Sequence, residues 1–344
     1  MNLYLLDVLA CPRCGAHPLH EEAFEMYADD EILHGVLVCQ SCNSWFPIKD
    51  CLLELLVEPL FYESDRLSFY EQFSRRLNGL GLLPPAKSDQ DKSAFSEQFK
   101  QQTHFDWYAN NERQTYSEYE NTPFWKAADE VAFAKWRAEI RPNRYLLDVG
   151  CAQGRSTFKI MDLGLKIIAF DISKVLVAQA IERYHRINYN ARALFFVADG
   201  SRFPVLQASI DYLMIYGVLH HLPDPEATCQ EISRVLKPGG VYFGQENNQS
   251  FFRVFFDALQ SLFPIWHEEA GTEPLISNKK LLQWFSRTNL EIQAETSVFL
   301  PPHLLNAVGD RYCGKLLRAS DRIAQAIPIL RDNGGIILIR GLKK

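Results

Sequence analysis

Four cysteines near the N-terminus have the spacing of a metal site. They form two Cys-x-x-Cys pairs, Cys11 with Cys14 and Cys39 with Cys42, and 24 residues separate the pairs. Two thiolates three positions apart on a tight turn can share one ion, and two such turns complete a tetrahedral Zn(II) site. A closed four-thiolate site has no open coordination position. We therefore predict a structural zinc, with an alternative metal or a lost site as the other interpretations.

A second group of residues forms a turn that brings backbone close to a ligand. An apolar run ends in Asp148, and small residues follow at Gly150, Ala152 and Gly154. A turn of this kind after a buried parallel strand lets the backbone approach a nucleotide-like ligand closely. A dinucleotide fingerprint needs glycine at its first, third and sixth positions, and counting from Gly150 the sixth is Arg155. The spacing therefore excludes the dinucleotide pattern.

Two further acids stand at the ends of apolar runs. Asp171 follows the second run, about 20 residues past the glycine turn, where a carboxylate can accept both ribose hydroxyls of a nucleotide. Ser173 has the type and position of an N-cap for the next helix. Asp199 follows the third run. Each acid also has a plainer interpretation: a helix cap for Asp171, and a cap or turn residue for Asp199.

Two histidines follow the fourth apolar run, between Tyr216 and Asp224. An imidazole changes charge near operating pH and is suited to general-base work, which makes His220 the candidate catalytic residue. His221 and the Leu-Pro-Asp sequence after it also suit a structural role that fixes the loop. The sequence leaves both interpretations of the histidines open.

These groups stand at the ends of elements that suggest an α/β fold. From residue 145, short apolar runs alternate with helical patterns, which favours a parallel sheet covered by helices. Earlier in the chain, Ile32–Val38 is predicted as a strand that leads into the second cysteine pair. The later predicted strands are Tyr145–Val149, Lys166–Phe170, Ala193–Val197, Ile210–Ile215, Val241–Gly244, Ile292–Phe299 and Ile336–Gly341.

The ordered strand-end motifs resemble those of class I S-adenosylmethionine-dependent methyltransferases, and the His loop resembles that of the UbiE-like small-molecule enzymes. The resemblance covers roughly residues 143–250, with Ala152 in place of the usual glycine. It implies a Rossmann-like, mostly parallel sheet with an antiparallel last strand, and S-adenosylmethionine as the cofactor. It also implies a set of cofactor-binding residues at the strand ends: Asp148, Gly150, Cys151, Ala152, Gly154, Asp171, Ile172, Asp199, Gly200 and Tyr216.

The segment around the cysteines resembles the small zinc domain of the Trm112 family, over about residues 2–57. A helical segment leads into the first cysteine pair, and Phe46-Pro47-Ile48 follows the second, as in that family. The chain departs from the family at Cys51, where glycine is usual. Stand-alone members stabilise methyltransferase partners, so the resemblance implies that this fused copy is a scaffold acting in cis.

The predicted organisation has three parts. A zinc-ribbon-like, Trm112-like domain covers 1–58, a linker with an aromatic-rich helical lid covers 59–140, and the methyltransferase domain covers 141–344. Within the last part, 248–276 and 300–330 are predicted as helical caps over the pocket. Aromatic residues in the lid could face a sulfonium cation or an apolar substrate, and ordinary core packing is the alternative interpretation.

Charge and hydropathy narrow the possible partners. Residues 1–58 carry ten acidic and two basic side chains, and an acidic module repels a phosphate backbone, so nucleic-acid binding is disfavoured. No apolar run approaches the ~18 residues of a membrane span, and no signal peptide is expected. Eight cysteines in this length do not suggest a disulfide framework, which favours the reducing cytoplasm.

The sequence therefore predicts a cytoplasmic methyltransferase that acts on an oxygen, carbon or nitrogen atom of a small-molecule or lipid-like biosynthetic intermediate. Two alternatives stay open. One is an RNA or ribosomal methyltransferase, and the other is a non-enzymatic interaction protein with a degenerate methyltransferase fold. The identity of the acceptor, the methylated atom and the oligomeric state are not determined by the sequence.

Overall fold

The computed structural model describes residues 3–28, 31–85, 95–111, 120–187, 192–265 and 275–344. Parts of the predicted lid and cap, residues 112–119 and 266–274, lie outside the described residues. Within the described residues, eleven strands join in a single sheet. The strands are β1 (His20–Ala28), β2 (Glu31–Val38), β3 (Trp45–Lys49), β4 (Leu52–Glu54), β5 (Tyr145–Val149), β6 (Lys166–Asp171), β7 (Arg192–Val197), β8 (Ile210–Tyr216), β9 (Leu236–Asn247), β10 (Leu290–Ser297) and β11 (Ile336–Lys343).

Helices cover the sheet and its carboxyl-end edge. None of them, over the described ranges, is long and apolar enough to cross a bilayer. Three short 3₁₀ helices span Leu3–Val8, Met161–Leu163 and Leu219–His221. The α-helices are α1 (Glu63–Gln72), α2 (Ser74–Gly79), α3 (Ser96–Asn111), α4 (Pro123–Glu139), α5 (Arg155–Phe158), α6 (Lys174–Arg186), α7 (Pro225–Val235), α8 (Arg253–Leu262), α9 (Asn278–Phe285), α10 (Pro302–Ala307) and α11 (Gly309–Ala326).

The later strands form a mostly parallel sheet with the order β7-β6-β5-β8-β9-β11-β10. The first five of these run parallel to their neighbours, and β11 is antiparallel to both β9 and β10. Parallel strands covered on both faces are nearly continuous apolar runs, which is why the sequence prediction of this sheet is confirmed. The largest boundary difference is at β9, which begins at Leu236 rather than Val241 because Leu236 already pairs with Ile210 and a register shift before Tyr212 accommodates the Pro-Gly-Gly turn. Strand β10, predicted as Ile292–Phe299, spans Leu290–Ser297.

The N-terminal strands extend the same sheet. Strand β4 pairs in parallel with β7, with Leu53 opposite Phe196, and the Leu55 amide donates to the Val197 carbonyl at 2.8 Å. The hydrophobic core is continuous across this junction, because Leu9 packs in the same buried cluster as Phe196. The pairing covers the edge of β7, which would otherwise present unpaired backbone groups.

Arg66 and Glu54 form a buried ion pair beside the junction. Their side chains are only 6% and 4% exposed. The Arg66 Nε donates to Glu54 Oε1 at 3.1 Å, and the guanidinium also donates to the Leu56 carbonyl at 3.0 Å. Burial raises the pKa of Glu54, and the neighbouring guanidinium opposes that rise. Each charge is therefore tolerated in the interior only because the other is present.

We expect Arg66→Met to lower the free energy of unfolding by about 3–5 kcal/mol, because it leaves the Glu54 carboxyl buried without its partner. A double variant that adds Glu54→Leu should recover most of the loss, since no unpaired charge remains. Urea unfolding of the wild type and both variants measures this difference. Equal losses in the single and double variants would contradict the prediction.

Candidate active site

A cavity of about 440 Å³ opens at the carboxyl ends of β5, β6, β7 and β8. Ligand sites in open α/β sheets lie at this edge. Eight of the sequence-predicted cofactor residues line the cavity, together with His220, whereas Asp148 and Gly154 do not line it. The eight are Gly150, Cys151, Ala152, Asp171, Ile172, Asp199, Gly200 and Tyr216.

The turn after β5 has a backbone shape that favours glycine. Gly150 has φ +73°, and a Cβ there would lie 2.5 Å from Cγ2 of Val218, a distance that real contacts do not reach. Ala152 also has a positive φ of 46° and so carries the strain of a left-handed alanine. Its amide donates to Asp171 Oδ2 at 2.9 Å, which holds the turn against the end of β6. The turn therefore presents backbone rather than side chains to the cavity.

Asp148 lies behind the turn and shapes it. Its Oδ2 accepts hydrogen bonds from the hydroxyls of Ser156 at 2.7 Å and Thr157 at 2.6 Å, and the side chain is completely buried. Its Oδ1 is buried without a partner within the described residues. Gly154, at φ +88°, begins α5 directly after the turn. Both residues lie next to the wall of the cavity without lining it.

The buried carboxyl of Asp148 predicts a pH-dependent stability. Burial raises its pKa to about 6, whereas an unfolded aspartate titrates near 3.9. Between these values the folded protein keeps a proton that the unfolded chain has released, so the free energy of unfolding falls as pH rises, by about 3 kcal/mol in total. Asp148→Asn should make the pH dependence shallower by this amount in urea unfolding between about pH 4 and pH 7, while other buried acids such as Glu120 keep their own contributions.

Asp162→Asn is the control for this measurement. That carboxyl is exposed and pairs with Arg137, which lowers its pKa, so its contribution is lost on acidification rather than on raising the pH. The control should keep the wild-type slope above about pH 4. A slope in Asp148→Asn as steep as that of the wild type would show that Asp148 does not contribute to it.

Two carboxylates at neighbouring strand ends face the cavity. Asp171 accepts one backbone hydrogen bond on each oxygen, from Ala152 and from the Ser173 amide at 2.9 Å. Asp199 Oδ1 accepts from the Ser201 amide at 2.9 Å. Burial raises the pKa of both acids, and these amide bonds oppose the rise. Because a carboxylate oxygen can accept more than one hydrogen bond, each acid retains capacity for a ligand.

Helix α3 lies across this end of the cavity. Asp106 anchors it, because its carboxylate accepts from the Ser173 hydroxyl at 2.6 Å, from the Val175 amide at 3.2 Å and from Tyr62 at 2.7 Å. The same helix contributes Gln98, Gln101 and Phe105 to the cavity lining. The Gln101 side chain is 8% exposed, and its Oε1 has no hydrogen-bond partner within the described residues.

The two glutamines are cavity residues that the sequence reasoning missed. Gln98, Gln101 and Phe105 follow one another at intervals of three and four residues, which places them on one face of a helix. That spacing is the signal that could have found them. It could not show which part of the sheet the face would cover.

A charged cluster forms the opposite wall of the cavity. Asp129 accepts from the Arg155 guanidinium at 2.9 Å, from Lys159 at 2.8 Å and from the Tyr216 hydroxyl. The Arg155 guanidinium also lies 4.6 Å from the Trp125 ring centroid, within cation–π range. Burial raises the pKa of Glu120, which lines the cavity beside Arg155, to about 7. This wall therefore combines fixed positive charge with an acid that changes charge near neutral pH.

His220 is oriented by a buried carboxylate. Its Nδ1 lies 2.6 Å from Glu246 Oε2, and the two side chains are 2% and 0% exposed. Glu246 Oε1 accepts from the Leu219 amide at 2.8 Å, so the same residue holds the loop. Because an ionised carboxylate only accepts, Nδ1 carries the proton and Nε2 is the basic nitrogen. His220 lines the cavity, whereas Glu246 lies behind it.

The four N-terminal cysteines converge as the spacing predicts. Cys11 Sγ lies 3.7 Å from Cys42 Sγ, and Cys14 Sγ lies 3.6 Å from Cys39 Sγ. All four sulfurs are within 4.8 Å of one another. A tetrahedral Zn(II) with Zn–S bonds of about 2.3 Å holds its sulfurs ~3.8 Å apart. The thiolate donors and their separations therefore fit zinc.

Two segments of the chain match models of known families. Residues 147–244 match the model of a methyltransferase domain, and residues 2–50 match that of Trm112p-like protein. The chain carries a Trm112p-like domain followed by a methyltransferase domain. The match to the methyltransferase domain runs from β5 into β9. Helices α3, α8 and α10, which complete the cavity, lie outside that match.

Individual relatives share only part of their length with this chain. A 27-O-demethylrifamycin SV methyltransferase of Amycolatopsis mediterranei is 30% identical over 102 residues, which are 29% of this chain and 38% of that protein. A probable S-adenosylmethionine-dependent methyltransferase of Mycolicibacterium smegmatis is 29% identical over 129 residues, 38% of this chain and 48% of its own. The chain thus spans less than half of either relative.

Among solved structures, a Thermotoga maritima protein described as a SAM-dependent methyltransferase, possible histamine N-methyltransferase, aligns with a TM-score of 0.48 and 16% identity. The alignment covers 70% of this chain and 99% of that one.

Proposed function

We propose that this chain is an S-adenosylmethionine-dependent methyltransferase for a small-molecule or lipid-like acceptor, with the Trm112p-like domain as a zinc-bound scaffold. One observation carries the proposal. The glycine turn, Asp171 and Asp199 meet at one cavity at the carboxyl edge of the methyltransferase domain, with an imidazole–carboxylate pair on its wall.

The residues that would hold the cofactor follow from the chemistry of the cavity. Asp171 and Asp199 offer acceptor oxygens for ribose hydroxyls and for an adenine amino group, and the turn at Gly150 offers backbone groups at close range. Gln101 on α3 adds a buried acceptor oxygen to the cavity lining. When bound, S-adenosylmethionine supplies an electrophilic methyl group on a sulfonium. The Tyr216 and Trp125 rings line the same cavity, and both lie within cation–π range of the Arg155 guanidinium.

His220 would act as the general base on the acceptor. The Glu246 carboxylate fixes the imidazole with Nε2 as its basic nitrogen and stabilises the imidazolium that forms when His220 takes a proton. The charged wall around Asp129 is fully engaged in internal ion pairs, so its part is to hold Tyr216 and Arg155 in place. Proximity and orientation of the acceptor then supply much of the rate.

An apolar surface beside the cavity supports an apolar acceptor. Helix α8 places Phe256 in the cavity lining, while its neighbours Phe251 and Val254 are 71% and 72% exposed. Leu262 and Phe263 continue this exposed surface at 70% and 66%. Exposed apolar side chains on a helix that also lines a cavity are typical of a binding surface for apolar ligands. The acidic N-terminal segment disfavours a nucleic-acid acceptor.

The scaffold role rests on the continuous sheet and on the thiolate geometry. Strand β4 covers the edge of β7, whose carboxyl end carries Asp199, so the fold of the Trm112p-like domain supports the cavity.

All eight cysteines are free thiols in the described residues, which suits a reducing compartment such as the cytoplasm.

The test is methyl transfer from S-adenosylmethionine labelled on its methyl carbon. The purified chain is incubated with an organic extract and, separately, with total RNA of the host, and the label is followed by mass spectrometry. We expect label in an organic-soluble small molecule and none in RNA, with the transfer abolished in Asp171→Ala. Label in RNA would favour the nucleic-acid alternative, and no label in either fraction would favour a non-enzymatic protein.

A further inference from the structure

A second group of metal-ligating side chains lies outside the cavity and outside the four-cysteine site. Glu31 at the start of β2, Cys51 in the turn between β3 and β4, and His185 near the end of α6 converge there. One ligand atom from each lies within 4.8 Å of the other two, and His185 Nε2 is 3.0 Å from Glu31 Oε2. None of the three lines the cavity.

Cys51 occupies a backbone position that favours glycine. Its φ is +63°, in the left-handed region, where a side chain costs conformational energy. The side chain is nevertheless present and 4% exposed, turned toward Glu31 and His185. Because the backbone at Cys51 is strained, we expect a favourable interaction of the buried thiol with the neighbouring imidazole and carboxylate to offset the conformational energy.

His185 is also held in place by its surroundings. The Tyr27 ring stacks on the imidazole at 4.7 Å between centroids with an interplanar angle of 13°. Stacking of this kind restricts the rotation of the imidazole. A metal-ligating histidine is generally oriented by contacts outside the coordination shell, and Tyr27 would provide one of them.

The donor set selects the class of metal. Thiolate, imidazole and carboxylate together are the ligands of Zn(II), which accepts sulfur at about 2.3 Å and nitrogen or oxygen at about 2.0–2.2 Å. Tetrahedral bonds of these lengths hold the nitrogen, oxygen and sulfur atoms ~3.3–3.7 Å apart. The observed separations, 3.0 Å between His185 Nε2 and Glu31 Oε2 and no more than 4.8 Å for the other pairs, lie around this range. Three protein ligands leave one position for water.

We propose that Glu31, Cys51 and His185 form a second zinc site, distinct from the four-cysteine site. It joins the N-terminal strands to α6, a helix of the methyltransferase domain. Two connections then join the N-terminal strands to the methyltransferase domain. One is the β4–β7 pairing, and the other is the metal bridge on the helical face of the sheet. This inference does not depend on the proposed methyl transfer.

The zinc content of the full chain tests the proposal. Wild type, Cys51→Gly, His185→Gln and the control Cys229→Ala are equilibrated in the same zinc-buffered solution, and bound metal is measured by mass spectrometry. We expect Cys51→Gly and His185→Gln each to hold one zinc ion fewer per chain than the wild type, and the control to hold as many as the wild type. The readout is the difference in zinc content between each variant and the wild type, so it does not depend on how fully the four-cysteine site is occupied.

Cys51→Gly is the sharper variant because glycine accepts the left-handed backbone, so loss of the ligand is separated from loss of the fold. Circular dichroism checks the fold of each protein. Substitution of cobalt for zinc adds a spectroscopic readout, since the second ion should lose its single thiolate charge-transfer band in Cys51→Gly. Equal zinc content in the wild type and both variants would overturn the proposal.

Discussion

Cys39→Ser is expected to remove zinc from the four-cysteine site and to unfold the N-terminal strands. Structural zinc contributes on the order of 10–16 kcal/mol of apparent binding free energy in small zinc domains, and that free energy is folding free energy. Cys39 is fully buried at the end of β2, so a serine there also leaves a hydroxyl among apolar neighbours. Zinc analysis and thermal unfolding of the full chain measure the loss.

The loss of zinc in Cys39→Ser should also destabilise the methyltransferase domain. Strand β4 pairs with β7, and Leu5 and Phe46 share a buried cluster with Phe170 and Phe196. Hydrogen exchange should therefore rise in β7 as well as in β2 and β3. Cys313→Ser, a buried cysteine on α11 outside both metal clusters, is the matched control and should keep its zinc. A zinc-free Cys39→Ser chain with an unchanged midpoint of unfolding would contradict the scaffold role.

His220→Ala is expected to lower turnover by about 10²- to 10⁴-fold while cofactor affinity stays near that of the wild type. This is the usual contribution of a positioned general base, and it acts on the chemical step rather than on cofactor binding. Single-turnover methyl transfer and calorimetry, measured on the same preparations, separate the two effects.

Glu246→Gln should give a smaller loss, because an amide still accepts from Nδ1 but no longer stabilises the imidazolium. His20→Gln, on an exposed side chain at the start of β1, is the control and should leave turnover unchanged. Turnover that stays at the wild-type level in His220→Ala would assign the imidazole–carboxylate pair to holding the loop alone.

The parallel sheet could be predicted because its information is local. Strands β6 and β7 have nearly continuous apolar interiors, and the acids at their carboxyl ends, Asp171 and Asp199, are recognisable by position. The turn at Gly150 could be predicted for the same reason, since few residue types tolerate its backbone conformation. Ser173 was predicted as an N-cap, and its hydroxyl does accept from the Leu176 amide at 3.2 Å.

The remaining features depend on contacts between distant parts of the chain. His220 and Glu246 meet only because β8 and β9 are neighbours in the sheet. The position of α3 over Asp171 depends on Asp106, whose partners come from a helix far along the sequence. Strand β1 has an almost wholly exposed burial pattern, so it carries no alternation of apolar and polar residues to mark it. Side-chain type alone does not encode such pairings.

Titration of S-adenosylmethionine into the wild type and into Asp171→Asn, followed by calorimetry, tests the central claim most directly. We expect one cofactor molecule to bind per wild-type chain. The affinity of Asp171→Asn for S-adenosylmethionine should be at least ~10-fold weaker, because a hydrogen bond to a charged group contributes about 1.5–3 kcal/mol. Absence of binding to the wild type, or equal affinity of the two proteins, would contradict it.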